Sequence, residues 1–204
     1  MFLSDKDIRD AVKRGEITLS DFEEKRLQPT SYDILLGNKF IINDPHAIGF
    51  IDPVNKIYPE TKEIIVPDDG KFVLHPGVSV LGATLDYFGS DKYLIQLSGK
   101  SSLARLGLLI HNTAGVINPG HYLRITLELC NLNNIPIVLR PKMPIGQLLF
   151  SQITTPPEKD YKKIGRYNNK EWNSYLPPKD EVIVKVKVQK EKPKTKKKLK
   201  AKKK

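Results

Sequence analysis

The first residues of the chain carry the signals of a short helix. Ser4 is followed three residues later by Asp7, a spacing that predicts a capping box at a helix start. Leu3 and Ile8 flank this box at the positions of a hydrophobic staple. Because glycine readily adopts the left-handed conformation that ends helices, we predict that the helix stops just before Gly15.

From Phe40 to Ile153 the hydrophobic pattern changes to short apolar runs separated by turn residues. The runs are rich in Ile, Val, Leu and Tyr, and segments such as His-Pro-Gly and Asn-Pro-Gly interrupt them. Closely spaced short strands of this kind are typical of β-barrels and jelly rolls. The pattern therefore predicts a mainly β body behind the short N-terminal helix.

Two strands can be outlined from their periodicity. Residues 124–129 alternate between apolar and polar side chains, which places the two kinds on opposite faces of a strand. The apolar face is formed by Ile125, Leu127 and Leu129, and the polar face by Arg124, Thr126 and Glu128. The carboxylate of Glu128 is therefore expected to point away from the core. The nearly continuous apolar run from Ile145 to Phe150 predicts a second, buried strand.

The net charge of +11 comes from one end of the 204-residue chain. Residues 185–204 contain twelve Lys and one Glu, which together give +11, so the first 184 residues are neutral on balance. A segment so rich in lysine has too little apolar surface to fold by itself. We predict a disordered tail, which either only adds solubility or makes weak contacts with nucleic acid.

Composition and motifs exclude several classes of protein. A single cysteine, Cys130, excludes an internal disulfide and a cysteine-rich zinc site, and the chain lacks the H-x-E and P-C-x-x-C motifs of zinc deaminases. Gly99-Lys100-Ser101 resembles the end of a phosphate-binding P-loop, but that loop needs a glycine where this chain has Leu94. No apolar run in the sequence is long enough to span a membrane. We expect a cytoplasmic protein without zinc.

Three blocks of sequence together resemble the dCTP deaminase branch of the trimeric dUTPase superfamily. The segment QPTSYDILLG at 28–37 resembles the N-terminal signature of that family, and GKSSLARLGL at 99–108 is similar to its G-[RK]-S-S-L-A-R-x-G-L segment. The tripeptide NPG at 118–120 then leads into ITLEL at 125–129 and IGQL at 145–148. Order and spacing match over about residues 1–170, so only the tail region lies outside the resemblance.

The resemblance implies a distorted β-barrel of the dUTPase-like type that assembles as a homotrimer. It also implies active sites between subunits, in which dCTP or dUTP binds with Mg²⁺ held through the triphosphate. Position by position, the nucleotide-binding residues fall on Lys100, Ser101, Ser102 and Arg105, while Thr126 and Leu127 lie against the base and sugar. The general base falls on Glu128. A carboxylate there can deprotonate the water that attacks C4 of cytosine and then pass the proton to the departing ammonia.

The chain departs from the family pattern after the second block. Asn118 stands where related enzymes have Asp, and an amide cannot accept the proton that dUTP hydrolysis requires, although it can hydrogen-bond the sugar hydroxyl. His121 and Leu123 replace the aromatic residue and the glycine of the next turn, which predicts a different backbone there. The nearest matches to the nucleotide-closing element near the C-terminus are Tyr161, Arg166 and Lys170, where Lys170 replaces a glutamine.

The leading interpretation is a hydrolase that converts dCTP into dUTP and ammonia and so supplies dUTP for dTTP synthesis. Glu128 is its discriminating residue, because dUTPases generally carry an apolar residue there. One alternative is a bifunctional enzyme that continues to dUMP, against which Asn118 counts. Another is a nucleotide-binding protein without deaminase activity. We divide the chain into a barrel domain with its helix at 1–155, a closing segment at 156–184 and the tail at 185–204.

Overall fold

The computed structural model describes residues 1–44, 49–159 and 161–165. The predicted tail at 185–204 and the site candidates Arg166 and Lys170 lie outside these residues, as does most of the closing segment. The described residues form a mainly β structure, as the short apolar runs predicted. None of the helices in this part of the chain is long and apolar enough to cross a membrane.

Helix α1 (Asp5–Lys13) has the capping box that the sequence predicted. The Ser4 hydroxyl accepts from the Asp7 backbone NH, and the Asp7 carboxylate accepts from the Ser4 NH, each at 3.3 Å. Gly15 has φ +70°, the left-handed conformation expected of a residue that ends a helix. Ile8 is fully buried, so the apolar face of the helix belongs to the core.

The remaining elements are mostly short strands. Their bounds are β1 (Thr18–Leu19), β2 (Leu27–Gln28), β3 (Ser31–Asn43), β4 (Thr61–Ile65), β5 (Phe72–Leu74), β6 (Ser79–Thr84), β7 (Phe88–Gly89), β8 (Tyr93–Gly99), β9 (Leu108–Leu109), β10 (Val116–Ile117), β11 (Thr126–Asn131), β12 (Ile137–Leu139) and β13 (Pro144–Gln152). Two short helices are α2 (Ser101–Ala104) and α3 (Tyr161–Ile164), and Glu24–Arg26 form a turn of 3₁₀ helix. β11 and β13 confirm the two strands outlined from periodicity, although β11 begins later than predicted.

Within the described residues, nine strands form one antiparallel sheet. Its order is β10-β8-β13-β3-β6-β11-β9, and β2 and β4 also pair with the long strand β3. β1 pairs with β7 and β5 pairs with β12 in two small ribbons. β13 is central, between β3 and β8, which explains why its sequence is nearly continuous in apolar residues.

The sheet has to curl, because its two end strands are joined by a short connection. β9 and β10 lie six strand spacings apart in the order, which would be about 29 Å in a flat sheet. Only residues 110–115 link them, and the extended chain from Leu109 to Val116 reaches at most about 25 Å. The sheet therefore bends into an open, distorted barrel, and the 110–115 loop crosses from one end strand to the other.

The two faces of β11 show how the barrel sorts its side chains. Leu127 and Leu129 are fully buried and Ile125 is nearly so, whereas Thr126 and Glu128 are half-buried. Successive residues of a strand point to opposite faces, so this pattern follows directly from the sequence alternation. The prediction that the Glu128 carboxylate points out of the core is confirmed.

A buried ion pair joins the 3₁₀ turn before β2 to the interior of the barrel. The Arg26 guanidinium donates to the Asp86 carboxylate at 2.6 Å, and both side chains are almost fully buried. Asp86 also accepts from the Leu35 NH at 2.7 Å, and Arg26 donates to the Asp33 carbonyl at 2.9 Å. The guanidinium lies over the Tyr32 ring. Each charge is thus compensated by its partner and by backbone groups of β3.

We expect Arg26→Met to lower the free energy of unfolding by about 3–5 kcal/mol, since it leaves the Asp86 carboxylate buried without its partner. Chemical denaturation of the native and variant proteins would measure the loss. Asp68→Asn is the matched control, because it removes an exposed ion pair with Lys142, and surface pairs contribute about 0–1 kcal/mol. A loss for Arg26→Met no larger than that of the control would contradict this role of the buried pair.

Candidate active site

The carboxylate of Glu128 is held at the surface of the barrel by the 110–115 loop. Its Oε2 accepts a hydrogen bond from the backbone NH of Asn112 at 3.0 Å. The neighbouring Leu127 and Leu129 are fully buried, so the strand fixes the side to which the half-buried Glu128 side chain points. A strand and a loop therefore orient this carboxylate together.

The edge of β11 beside Glu128 is faced by loop backbone. β9 pairs only with the last two residues of β11. The chain then turns towards β8, where the Gly115 carbonyl accepts from the Leu97 NH at 2.7 Å. Main-chain groups of β11 and of the loop are therefore candidates for hydrogen bonds to a ligand.

Lys100 begins the second part of the site, directly after β8. Its Nζ lies 2.6 Å from Asp33 Oδ2 on β3, so the side chain is held in place. Ser101, Ser102 and Arg105 follow in and directly after α2, and all three are exposed. Two hydroxyls, a guanidinium and an ammonium group together suit a ligand with several phosphate oxygens.

The fold joins these two parts of the site. α2 leads into β9, and β9 pairs with β11, the strand that carries Glu128. The 99–108 block therefore runs from the end of β8, near the β10 end of the sheet order, to β9 at the other end, beside β11.

A row of polar side chains crosses β8, β13 and β3, and the sequence predicted no function for it. In the register of β8, β13 and β3, Ser98 lies opposite Gln147, and Gln147 lies opposite Asp33. Gln147 accepts from the Ser31 hydroxyl at 2.8 Å and donates to the Gly99 carbonyl at 3.1 Å. The signal in the sequence was a carboxylate and an amide inside apolar runs, because polar groups in such positions need partners.

The structure limits the roles of two predicted base and sugar contacts. Leu127 has its side chain fully buried in the core, so only its main-chain atoms can face a ligand. Thr126 is half-buried and lies on the same face of β11 as Glu128. Thr126 therefore remains a candidate for contacting the ligand through its side chain, whereas Leu127 can contact it only through its main chain.

Asn118 is exposed at the start of the turn that follows β10. Its carbonyl accepts from the His121 NH at 3.1 Å, and Gly120 has φ +85°. Leu123, at the glycine position of the family pattern, exchanges two backbone hydrogen bonds with Phe88, each at 3.0 Å. Because a residue paired in this way needs no positive φ, leucine is compatible with the turn.

Helix α3 brings Tyr161 onto this turn. The centroids of the Tyr161 and His121 rings lie 4.5 Å apart, and His121 is buried. Lys162 pairs with Asp91 at 2.8 Å and lies over the Tyr122 ring. Burial, together with the charge of Asp91, raises the pKa of the Tyr122 phenol. The described start of the predicted closing segment is thus docked beside the turn.

Lys100, Ser101, Ser102 and Arg105 offer only donor groups with positive or neutral charge, which suit phosphate oxygens. Among residues 1–44, 49–159 and 161–165, no three His, Cys, Asp or Glu side chains are grouped so that they could hold a metal ion. Mg²⁺ in proteins is commonly held through substrate phosphates and water. The Mg²⁺ implied by the resemblance therefore fits this donor set as an ion carried by a triphosphate.

Comparison with known proteins identifies relatives of this chain. Residues 2–153 match the family model of dCTP deaminase-like proteins. A curated protein from Corynebacterium jeikeium named "dCTP deaminase, dUMP-forming" is 47% identical over 162 residues, which cover 79% of this chain and 86% of that protein. A protein of the same name from Mycobacterium tuberculosis is 45% identical over 163 residues, which cover 79% of this chain and 85% of that protein.

The fold is similar to that in the crystal structure of 2'-deoxycytidine 5'-triphosphate deaminase from Agrobacterium tumefaciens. The TM-score is 0.56 at 20% sequence identity, and the match covers 73% of this chain and 48% of that chain. This chain therefore spans about half the length of that solved protein. The likeness confirms the predicted fold class.

We expect His121→Ala to loosen α3, because the substitution removes the ring on which Tyr161 packs. Tryptic cleavage after Lys162, followed by mass spectrometry, should become several-fold faster, since proteolysis requires local opening. His75→Ala changes an exposed histidine elsewhere and is the matched control. Equal cleavage rates in the native protein and in His121→Ala would show that the ring contact does not hold this segment.

Proposed function

Since this chain belongs to the dCTP deaminase-like family, we propose that it is a hydrolase that removes the 4-amino group of dCTP. The observation that carries the proposal is the position of Glu128. Its side chain lies on the face of β11 that points away from the core, and its carboxylate accepts a hydrogen bond from the Asn112 NH. A carboxylate held in a fixed direction is suited to general acid–base catalysis.

In the proposed reaction, Glu128 removes a proton from a water molecule as that water attacks C4 of cytosine. A C4–O bond forms as the C4=N3 double bond opens onto N3, and Glu128 then returns the proton to the amino nitrogen. The C4–N bond breaks to release ammonia while the C4=N3 bond re-forms, and the proton of the new hydroxyl moves to N3, which leaves uracil. Proton transfer by a positioned carboxylate contributes about 10²–10⁴-fold in rate. Orientation of the water and the base by β11 and the 110–115 loop is proposed to supply much of the remainder.

The triphosphate is proposed to bind at α2. The residues offered to it are Lys100, Ser101, Ser102 and Arg105, which the structure places in succession after β8. Arg105 presents a planar fork that matches phosphate oxygens, whereas Lys100 acts as a point charge. These residues would hold the triphosphate together with its Mg²⁺, an ion that would offset part of the phosphate charge.

The nucleoside is proposed to lie between β11 and the turn at Asn118. Thr126 and the main chain of Leu127 contact the base and sugar, and the Asn118 amide hydrogen-bonds the sugar hydroxyl. Tyr161 supports this arrangement, because α3 is docked on the turn that follows Asn118.

We make two further proposals for the C-terminal part of the chain. We assign residues 156–184 to a closing segment, with Arg166 and Lys170 as further nucleotide contacts, apart from the barrel domain at 1–155. Residues 185–204 are proposed as a solubilising tail that makes weak contact with nucleic acid, since a block of like charges is attracted to polyanions.

The residues of this chain and the names of its relatives indicate different end products. The sequence prediction was dUTP, because Asn118 lacks the carboxylate that could activate water for pyrophosphate release. The relatives are named as dUMP-forming enzymes. We propose dUMP as the end product, with Asn118 slowing the second hydrolysis so that dUTP accumulates first.

A homotrimer with active sites between subunits is proposed from the resemblance and from exposed leucines near the site. Leu106 is 56% and Leu132 is 66% exposed, and the Leu132 NH donates to the Gly107 carbonyl, which brings them close together. Leu109, on β9, is also exposed. Adjacent exposed apolar side chains are typical of protein interfaces. We call Leu106, Leu109 and Leu132 the leucine patch and propose that a second subunit covers it.

Incubation with dCTP and Mg²⁺, followed by anion-exchange separation of dCTP, dUTP and dUMP, tests the reaction. We expect Glu128→Gln to lower the deamination rate at least about a hundredfold, because an amide cannot accept the proton from water. Glu63→Gln, at an exposed glutamate on β4, is the matched control. Unchanged dCTP in the native protein would contradict the proposed reaction, and an active Glu128→Gln variant would contradict its mechanism.

The same separation follows the fate of dUTP. In the native protein dUTP should appear first and dUMP later, whereas Asn118→Asp should form dUMP without the earlier accumulation, because it supplies a carboxylate. Direct formation of dUMP by the native protein would show that Asn118 does not limit the second step. If the native protein forms only dUTP, the proposed end product is wrong.

Static light scattering tests the assembly. The native protein should have three times the chain mass of 23.2 kDa. Leu132→Lys should reduce the measured mass, because it places a charge in the leucine patch. Val54→Lys changes another exposed apolar residue and is the control. A native monomer would contradict the trimer, and a trimeric Leu132→Lys variant would exclude the leucine patch as its interface.

A further inference from the structure

Asp33 lies behind the proposed phosphate site, and its contacts account for the position of Lys100. Asp33 Oδ2 is 2.6 Å from Lys100 Nζ and 3.4 Å from the Gln28 amide nitrogen. The residue is 8% exposed, and among the described residues its Oδ1 has no hydrogen-bond partner. Because a buried carboxylate requires a compensating charge, Lys100 is drawn towards it.

The backbone around both residues is fixed as well. Arg26, from its buried ion pair, donates to the Asp33 carbonyl at 2.9 Å. Gln147 donates to the Gly99 carbonyl, one residue before Lys100, at 3.1 Å. Both ends of the contact between Asp33 and Lys100 are therefore anchored to the interior of the sheet.

We propose that Asp33 is a positioning residue that holds Lys100 in the orientation that the triphosphate requires. This inference rests on the proposed function of Lys100 as a phosphate partner. A lysine ammonium has three N–H donors, so one can serve Asp33 while two remain for phosphate oxygens. A long side chain that is already ordered loses less rotamer freedom when its ligand binds. Asp33 itself does not contact the substrate.

The proposal also gives a role to the segment QPTSYDILLG, which matched the family pattern without an assigned function. Asp33 belongs to that segment, and Lys100 belongs to GKSSLARLGL. The ion pair joins the two blocks across 67 positions of the chain. The first block therefore acts on the nucleotide through the second.

A double-mutant cycle tests this inference. KM and kcat for dCTP, and the dissociation constant of dCTP with Mg²⁺, are measured for the native protein, Asp33→Asn, Lys100→Met and the combined variant. We expect Asp33→Asn to raise KM and the dissociation constant roughly three- to tenfold, the range for ordering one long side chain, with a smaller change in kcat. In the Lys100→Met background the same substitution should change neither constant.

The outcomes separate this inference from the proposed function. If Lys100→Met weakens dCTP binding and Asp33→Asn does not, the positioning role is overturned while the phosphate site stands. An equal effect of Asp33→Asn in both backgrounds also overturns it, because Asp33 then acts through the fold. If Lys100→Met leaves binding unchanged, the phosphate site itself is wrong. Asp68→Asn breaks an exposed pair with Lys142 and should keep all constants within about twofold.

Thermal unfolding and a second variant distinguish the positioning role from a loss of folding. Lys100→Met leaves Asp33 buried without its ionic partner and should lower Tm, and the combined variant should regain part of the loss. Asp33→Glu keeps the charge but moves the carboxylate by one methylene group. It should raise KM in the native background and not with Lys100→Met, and it replaces Asp33→Asn if that variant does not fold.

Discussion

The short connection between β9 and β10 is the constraint on which the proposed site depends. Residues 110–115 cannot span a flat sheet of this strand order, so the sheet bends until its end strands approach each other. The same loop then passes the edge of β11, where the Asn112 NH donates to the Glu128 carboxylate. Closure of the barrel and orientation of the proposed general base are therefore consequences of one segment.

Buried polar contacts fix the other half of the proposed site from inside the barrel. Arg26 and Asp86 compensate each other's charge, and Arg26 also donates to the backbone of Asp33, which holds Lys100. A pair of this kind contributes little net stability compared with apolar packing, but leaving one of its charges alone is strongly unfavourable. The interior can in this way hold a lysine that belongs to a surface loop.

In the turn at 118–123, where this chain departs from the family pattern, local packing accommodates the change. Leu123 exchanges backbone hydrogen bonds with Phe88, so its side chain causes no strain in the turn. Tyr122 lies against Gly89, where an added Cβ would clash with the ring. Asn118 remains exposed beside these contacts. Its amide therefore changes the chemistry that the turn offers and leaves the pairing of the strands intact.

The sequence by itself determined the helix start, the mainly β class and the face of Glu128, because capping and the alternation at 124–129 depend on residues that are close along the chain. It also marked three blocks whose order and spacing resemble the dCTP deaminase family. Only the tertiary structure decided that Asn112 meets Glu128 and that Asp33 meets Lys100. These contacts depend on strand order and register, which bring together residues that local spacing does not relate.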